Sequence, residues 1–258
     1  TDDAVTVFSR NSTTGALTFL ESHKDGVDGI DGLDGVSSVA VSPDGNHLYS
    51  AAITGDSVAV FNRNPTTGSL TFVEAHKDDT NGVDGLNFAR SVTASPDGKH
   101  IYVAGLLDDA VAVFSRNATT GALTFVESHK DGVGVVDGLD GAISVIVSPN
   151  GKYLYASGHN DNAVAVFSRD ATTGALTFVE FHKDGVAGVD GLEGAFSLTL
   201  SPDGKYLYVA GENDNAVAVF RVAIVPTPVP SVSQWGLIAM MGMISVLLLW
   251  RRRRIVER

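Results

Sequence analysis

The sequence contains no cysteine. That excludes disulfide staples, thiolate metal sites and a cysteine nucleophile. Basic charge is scarce as well: the chain has 18 Lys and Arg against 30 Asp and Glu. Five of the arginines, Arg251 to Arg254 and Arg258, fall in the last 33 residues, which leaves residues 1–225 with 13 basic and 29 acidic side chains, a net of −16. A body this acidic has no footprint for nucleic acid, because phosphate binding needs clustered cations. It suits cations or a cationic partner, or serves solubility alone. Also missing are a glycine-rich phosphate loop opening a helix, a serine in a G-x-S-x-G elbow, and helical periodicity before residue 230. The chain opens at Thr1 without a signal-peptide pattern, as a processed or partial chain would.

What the sequence has in abundance is repetition. "VAVF" or a close variant ends at Phe8, Phe61, Phe114, Phe167 and Phe220, always 53 residues apart. The serine of "SPDG" or "SPNG" keeps the same spacing at Ser42, Ser95, Ser148 and Ser201, and "HKD" starts at His23, His76, His129 and His182. A period of this size marks modules that cannot bury a core singly. Each module reads as four short strands, A to D. In the third copy they are 142–148, 152–158, 163–169 and 176–182, rich in Val, Tyr, Phe and Thr and separated by Asn-Gly, "HNDN" and Thr-Gly turns. Strand C is apolar on both faces, with Ala163, Ala165 and Phe167 on one and Val164 and Val166 on the other. Two-sided burial fits sheets stacked face to face.

The expectation is therefore an all-β protein: a β-propeller of four-stranded antiparallel blades over residues 1–225, with a parallel β-helix as the alternative. The strands number 17, one more than four blades use, which suggests a piece of a longer ring with missing blades before Thr1. In an antiparallel meander, connections alternate between the ends of the sheet. The A–B and C–D turns then share one end of the disc, and the B–C and D–A loops share the other.

Most of the aspartates collect on that second end. The D–A loop "KDGVDGIDGLDG" and its copies carry Asp31, Asp84, Asp137 and Asp190 at one position, and Asp34, Asn87, Asp140 and Glu193 at another. Hard cations take several oxygen ligands, so these eight residues are the candidate calcium ligands. The spacing of three does not match an EF-hand, and Asp-Gly is also ordinary turn chemistry. The copies differ mostly on the same end. Ile53, Leu106, His159 and Glu212 share one B–C position, and Asp28, Asn81, Gly134 and Ala187 share one D–A position. Residues that read a partner need individuality, whereas scaffold turns need sameness.

Acid–base candidates are weaker. Glu21/His23, Glu74/His76, Glu127/His129 and Glu180/His182 could pair a base with its orienter. Fourfold recurrence on the outermost strand reads better as edge polarity and charge pairing, because an active site is one asymmetric constellation. His47 and His100 share a column with Tyr153 and Tyr206, which suits amphipathic packing. Arg90 has no charged counterpart at Ser37, Ile143 or Phe196, which makes it a candidate anion contact. Two stretches, at Asn11 and Asn117, fit the glycosylation sequon, a match that the character of the C-terminal tail makes uninformative.

Beyond Val225 the composition changes. Residues 226–234 form a proline-spaced linker. Residues Trp235 to Trp250 are 16 uncharged residues ahead of a basic tail, 251–258. As a helix this run spans about 24 Å, close to a hydrocarbon core of roughly 30 Å. Flanking tryptophans and trailing arginines fit a transmembrane helix with a cytoplasmic C-terminus and the propeller outside the cytoplasm.

Two resemblances follow. "LSPDGKYLYVAGENDNAVAVF" (200–220) and "TTGALTFVE" (172–180), with their copies over residues 1–221, resemble the seven-bladed β-propeller lactonase-like family of 6-phosphogluconolactonases and carboxymuconate-cyclising enzymes. The resemblance implies the fold. It carries no catalytic residue across, because the matching residues are blade scaffold. "VPSVSQWG" (229–236) before an apolar run and arginines is similar to the IPTL-CTERM and PEP-CTERM sorting signals. That implies a Gram-negative envelope, export, and processing by an exosortase-like enzyme. The resulting expectation is a membrane-tethered module that binds an unknown surface ligand or builds structure through an acidic, calcium-assisted face, and it leans away from catalysis. The alternative is a lactonase-type hydrolase acting on a sugar lactone.

Overall fold

A computed structural model of the chain describes residues 2–222. The expected linker, transmembrane helix and basic tail lie outside the described residues. Among the described residues no helix is long and apolar enough to cross a membrane.

All 17 elements among the described residues are strands. A two-stranded sheet comes first, β1 (Ala4–Arg10) and β2 (Leu17–Lys24), equivalent to strands C and D. The first blade is β3 (Val36–Val41), β4 (His47–Ala52), β5 (Ser57–Arg63) and β6 (Leu70–Lys77). The second is β7 (Ala89–Ala94), β8 (His100–Gly105), β9 (Ala110–Arg116) and β10 (Leu123–Lys130). The third is β11 (Ala142–Val147), β12 (Tyr153–Gly158), β13 (Ala163–Arg169) and β14 (Leu176–Lys183). A fourth sheet has three strands, β15 (Ala195–Leu200), β16 (Tyr206–Gly211) and β17 (Ala216–Arg221). Every pairing is antiparallel between consecutive strands, as the 53-residue pattern predicts, and no β-helix coil is formed.

The blades stack because both faces of strand C are apolar. Ala165 and Phe167 pack with Tyr102, Val111 and Val113 of the second blade, and Val164 and Val166 pack with Leu192, Leu198 and Val209 of the fourth sheet. Phe61, Phe114 and Phe167 are fully buried. Truncating any of them to alanine would cost about 3–5 kcal/mol. Strands A lie innermost, and serines tie each to the next: the N–H groups of Val92, Val145 and Leu198 donate to Ser38, Ser91 and Ser144 Oγ, each at 3.3 Å.

Two β-bulges recur in each complete blade. On strand D the register slips by one, so that Phe167 faces Phe178 while Val166 faces Glu180. Without the slip, Phe178 and Glu180 would share a face. With it, the phenylalanine stays on the side of the preceding blade, and the glutamate and histidine turn toward the following one. On strand A the unpaired residue is Arg90 in the second blade, Ile143 in the third and Phe196 in the fourth sheet. A bulge frees a side chain from the ladder and re-aims it.

Two hydroxyls, of Ser50 and Ser157, are buried without a hydrogen-bond partner among the protein groups. An orphaned buried polar group costs about 1–3 kcal/mol. Alanine already stands at the matching position in other copies, Ala156 for Ser50 and Ala104 for Ser157. Ser50→Ala and Ser157→Ala are therefore expected to raise stability by about 1 kcal/mol each. Urea unfolding checks this, and a loss of stability would show that the hydroxyls are bonded to ordered water.

Candidate active site

The two ends of the disc separate as the meander requires. B–C loops bond D–A loops: the N–H groups of Ile53, His159 and Glu212 donate to the carbonyls of Gly35, Gly141 and Gly194, each at 3.0 Å. At the opposite end, Tyr49 and Tyr102 hydroxyls donate from strand B to the Gly121 and Gly174 carbonyls of the "TTG" turns, at 3.1 and 2.9 Å.

Turn geometry accounts for many of the loop acids. The aspartate of each "HKD" (Asp25, Asp78, Asp131, Asp184) accepts the N–H of the leucine eight residues on, at 2.8–3.0 Å. Those leucines, Leu33, Leu86, Leu139 and Leu192, are fully buried plugs. Asp28, Asn81 and Ala187 sit at φ of 52–54°, and Gly134 at 66°. Left-handed turn geometry explains this variable column without a ligand.

The eight predicted calcium ligands divide. Asp84, Asp137 and Asp190 each join a three-carboxylate cluster: Asp78–Asp84–Asp108, Asp131–Asp137–Asp161 and Asp184–Asp190–Asp214, all with ligand atoms within 4.8 Å of one another. Asp31 has no such cluster, because Gly55 occupies the position of Asp108. It pairs instead with Lys77 at 2.8 Å. Asp34, Asn87, Asp140 and Glu193 contribute mainly through the backbone. The N–H groups of Asn87, Asp140 and Glu193 donate to Asp108, Asp161 and Asp214 at 2.8–3.1 Å, and the Asp34 carbonyl accepts from Gly55. The sequence reading missed Asp78, Asp131 and Asp184 as cluster members, although the repeated "HKD" already marked them. It also missed Asp108, Asp161 and Asp214 on the B–C loops.

Two of the clusters contain a cation of their own. Lys130 Nζ lies 2.7 Å from Asp84 and 3.2 Å from Asp108, and Lys183 Nζ lies 3.0 Å from Asp161. Burial, then the neighbouring Asp108, pushes the Asp78 carboxyl up. Asp84 is held low by Lys130 and Ser128 despite its partial burial. The fourth sheet has no strand D among the described residues, so Asp184–Asp190–Asp214 has no lysine there.

The Glu–His pairs are clasps between blades. Glu21, Glu74 and Glu127 accept the N–H of Leu70, Leu123 and Leu176 in the following blade at 2.6–2.8 Å. His23, His76, His129 and His182 lie against Phe61, Phe114, Phe167 and Phe220, with ring centroids 5.3–5.8 Å apart. His23, His76 and His129 also bond their own glutamates at 3.0–3.1 Å, and His182 lies 3.4 Å from Glu180. The glutamate and histidine of each pair do meet, and the bulge on strand D supplies the reach to the next blade.

One cluster breaks the repetition. His159 Nε2 lies 3.5 Å from Glu212 Oε2. The His159 ring meets Phe196 edge-on at 6.4 Å between centroids, and the Arg90 guanidinium covers the same Phe196 at 5.7 Å. These four residues come from two of the columns whose copies differ, the strand A bulge and the B–C loop. The columns meet because each B–C residue is bonded to the glycine two residues before the bulge, as His159 is to Gly141 and Glu212 to Gly194. An imidazole, a carboxylate, a guanidinium and an aromatic ring thus gather beside the innermost strands, from three successive sheets. The sequence identified Arg90 and the His159/Glu212 column separately, and their convergence on Phe196 is visible only in the fold.

Consecutive four-stranded antiparallel sheets joined through their inner strands define the β-propeller class. The family description "Lactonase, 7-bladed beta-propeller" matches residues 1–137 and 133–225, and the chain belongs to that family. An IPTL-CTERM motif matches residues 227–254, which identifies the segment as a C-terminal sorting signal. The chain is 31% identical over 136 residues to a probable 6-phosphogluconolactonase of Arthroderma benhamiae, covering 50% of this chain and 33% of that protein. It is 24% identical over 180 residues to the 6-phosphogluconolactonase of Pectobacterium carotovorum, covering 70% and 51%. Among solved structures, a putative 6-phosphogluconolactonase of Bacteroides fragilis aligns with a TM-score of 0.67 at 27% identity, over 86% of this chain and 61% of that one. The periplasmic gluconolactonase of Pseudomonas aeruginosa aligns with a TM-score of 0.63 at 24% identity, over 85% and 60%, which shows the fold. The chain therefore spans about half or less of the length of these two curated relatives.

Lys130 is the countercharge of its cluster, half-exposed and shared by two carboxylates. Lys130→Met is expected to lower stability by about 1 kcal/mol at low ionic strength and by less in about 1 M salt. Urea midpoints at the two salt concentrations check it, and an equal loss in both would assign the effect to packing.

Proposed function

We propose that the full-length protein is a lactonase-type hydrolase acting on a sugar lactone, with its reaction site at Arg90, His159, Phe196 and Glu212. The observation that carries this reading is the His159–Glu212 pair at 3.5 Å, at positions where no other copy repeats it. The family and its 6-phosphogluconolactonase relatives supply the reaction class and support the hydrolase over a purely structural module. Lactone opening needs a water to lose a proton as it attacks the carbonyl carbon, and the ring oxygen to leave as an alcohol. His159 is placed to take that proton and to return it to the ring oxygen as the C–O bond breaks, with Glu212 orienting and balancing the imidazolium in between. Arg90 stabilises negative charge on the attacked carbonyl or on an anionic substituent, and Phe196 holds Arg90 and excludes water on one side. The product is the open hydroxy acid.

The sorting signal supports export to the envelope. In this reading Trp235–Trp250 inserts in the membrane of a Gram-negative cell, the arginines stay cytoplasmic, and an exosortase-like enzyme trims the tail. In the full-length protein, His159→Gln is expected to lower kcat/KM for lactone hydrolysis at least about 100-fold, and Glu212→Gln about 10-fold, with unchanged melting temperature. Wild-type-like turnover in both variants would remove His159 and Glu212 from the chemistry.

A second reading, a calcium-assisted binding module, rests on Asp184–Asp190–Asp214, the cluster without a lysine among the described residues. It requires calcium to raise the melting temperature, Asp190→Asn to abolish that rise, and lactones to go unhydrolysed.

A further inference from the structure

Two joints between blades are closed by a buried arginine that binds a histidine. At the joint between the first and second blades, Arg116 of β9 donates from Nε to the Tyr49 hydroxyl at 2.7 Å and from Nη1 to the Gly98 carbonyl at 2.7 Å. Its Nη2 reaches Asp44 at 2.8 Å and His47 Nδ1 at 2.6 Å. The next joint repeats the set: Arg169 of β13 binds Tyr102, the Gly151 carbonyl, Asp97 and His100 Nδ1, the last at 2.7 Å. Both histidines are 2% exposed. A β-carbon at Gly121 or Gly174 would collide with the His47 or His100 ring, so the "TTG" turn closes over each imidazole.

A guanidinium is permanently charged and donates only. A nitrogen that accepts from it carries no proton, so both rings are neutral. Arg116 and Asp44 balance one another, and a second proton on His47 would leave the cluster one positive charge in excess beside a buried guanidinium, with only the Asp44 end of the cluster open to water. Nothing else facing the ring offsets it. Asn62 and the Thr119 backbone are neutral, Tyr49 is an uncharged phenol, and Arg63, which binds the Gly45 carbonyl of the same turn, adds to the excess. Around His100 the neighbours are Arg169, Asp97, Lys99 and the Thr173 backbone, with the Tyr102 phenol beside Arg169. Glu74 and Glu127, which face the two tyrosines, are already committed to Leu123 and Leu176.

The third joint provides an internal comparison. Where the first two have Asp, His and Arg, it has Asn150, Tyr153 and Val222, and Tyr153 and Val222 pack in one apolar cluster. Charge and titratable group disappear together. We propose that the first two joints are acid-labile latches that open when His47 and His100 take up a proton, while the third joint, between the third blade and the fourth sheet, stays closed.

The direction of the pH effect follows. Burial, then the adjacent arginine, holds both histidines below the ordinary value of 6.5. Their contribution to stability is complete above that value and is lost as the pH falls below it toward the lowered one. Hydrogen bonds from Ser42 and Arg116 hold Asp44 far below the carboxylate range against its partial burial, and Asp97 is likewise lowered to about 2. Both carboxylates stay charged throughout that window.

The test compares the full chain with a variant that installs the third joint's residues in the first two: Asp44→Asn, His47→Tyr and Arg116→Val, with Asp97→Asn, His100→Tyr and Arg169→Val. Melting temperature is followed from about pH 7.5 to about pH 5. The wild type is expected to lose several degrees more than the variant, and equal losses would overturn the proposal. If the variant fails to fold, imidazole nitrogen NMR of the wild type decides. Two histidines with unprotonated Nδ1 that remain neutral below about pH 6 uphold it, and titration of His47 and His100 at or above their ordinary value overturns it.

Discussion

A blade of this protein cannot stand alone, because its third strand is apolar on both sides. Val164 and Val166 need one neighbour, and Ala165 and Phe167 need another. Most of the other repeated features serve that stacking. The strand D bulge sends Phe178 backward and Glu180 and His182 forward, so that a single strand holds two neighbours. The serine ties between innermost strands and the buried leucine plugs of the D–A loops fix the spacing at the axis and at the loop end.

This explains why features that look chemical are mostly mechanical. Glu–His pairs and aspartate-rich loops occur once per repeat, and arginine–histidine contacts close two of the joints, at positions where backbone donors or a neighbouring blade need a partner. The repetition fails at Arg90, His159, Phe196 and Glu212, each at a position that other copies fill with unrelated residues, and the proposed reaction site rests on that failure of symmetry.

The fold was legible because period, turn chemistry and two-sided apolar strands all pointed to one architecture, and the strand bounds differ from expectation by a residue at most in the third blade. The site was legible only in part. Arg90 stood out as a lone cation, and the His159/Glu212 column as variable. Their meeting depends on the strand A bulge and on the bond from each B–C loop to the glycine ahead of that bulge. Neither leaves a pattern of period two. In the second column of the calcium expectation, Asn87 and Glu193 give their backbone N–H groups to the aspartates of the B–C loops, an arrangement that side-chain identity alone does not reveal. His47 and His100 were read as amphipathic packing. Their arginine partners lie 69 residues away in sequence, beyond any local pattern.

The bulge on the innermost strand also bears on how such a protein diversifies. Because Arg90, Ile143 and Phe196 sit outside the ladder, exchanging one for another unzips no hydrogen bond and shifts no register. The position is buried at Ile143 but part-exposed at Arg90 and open at Phe196, so the latter two have the most freedom to change. New reactivity can be acquired codon by codon while the surrounding architecture is inherited unchanged.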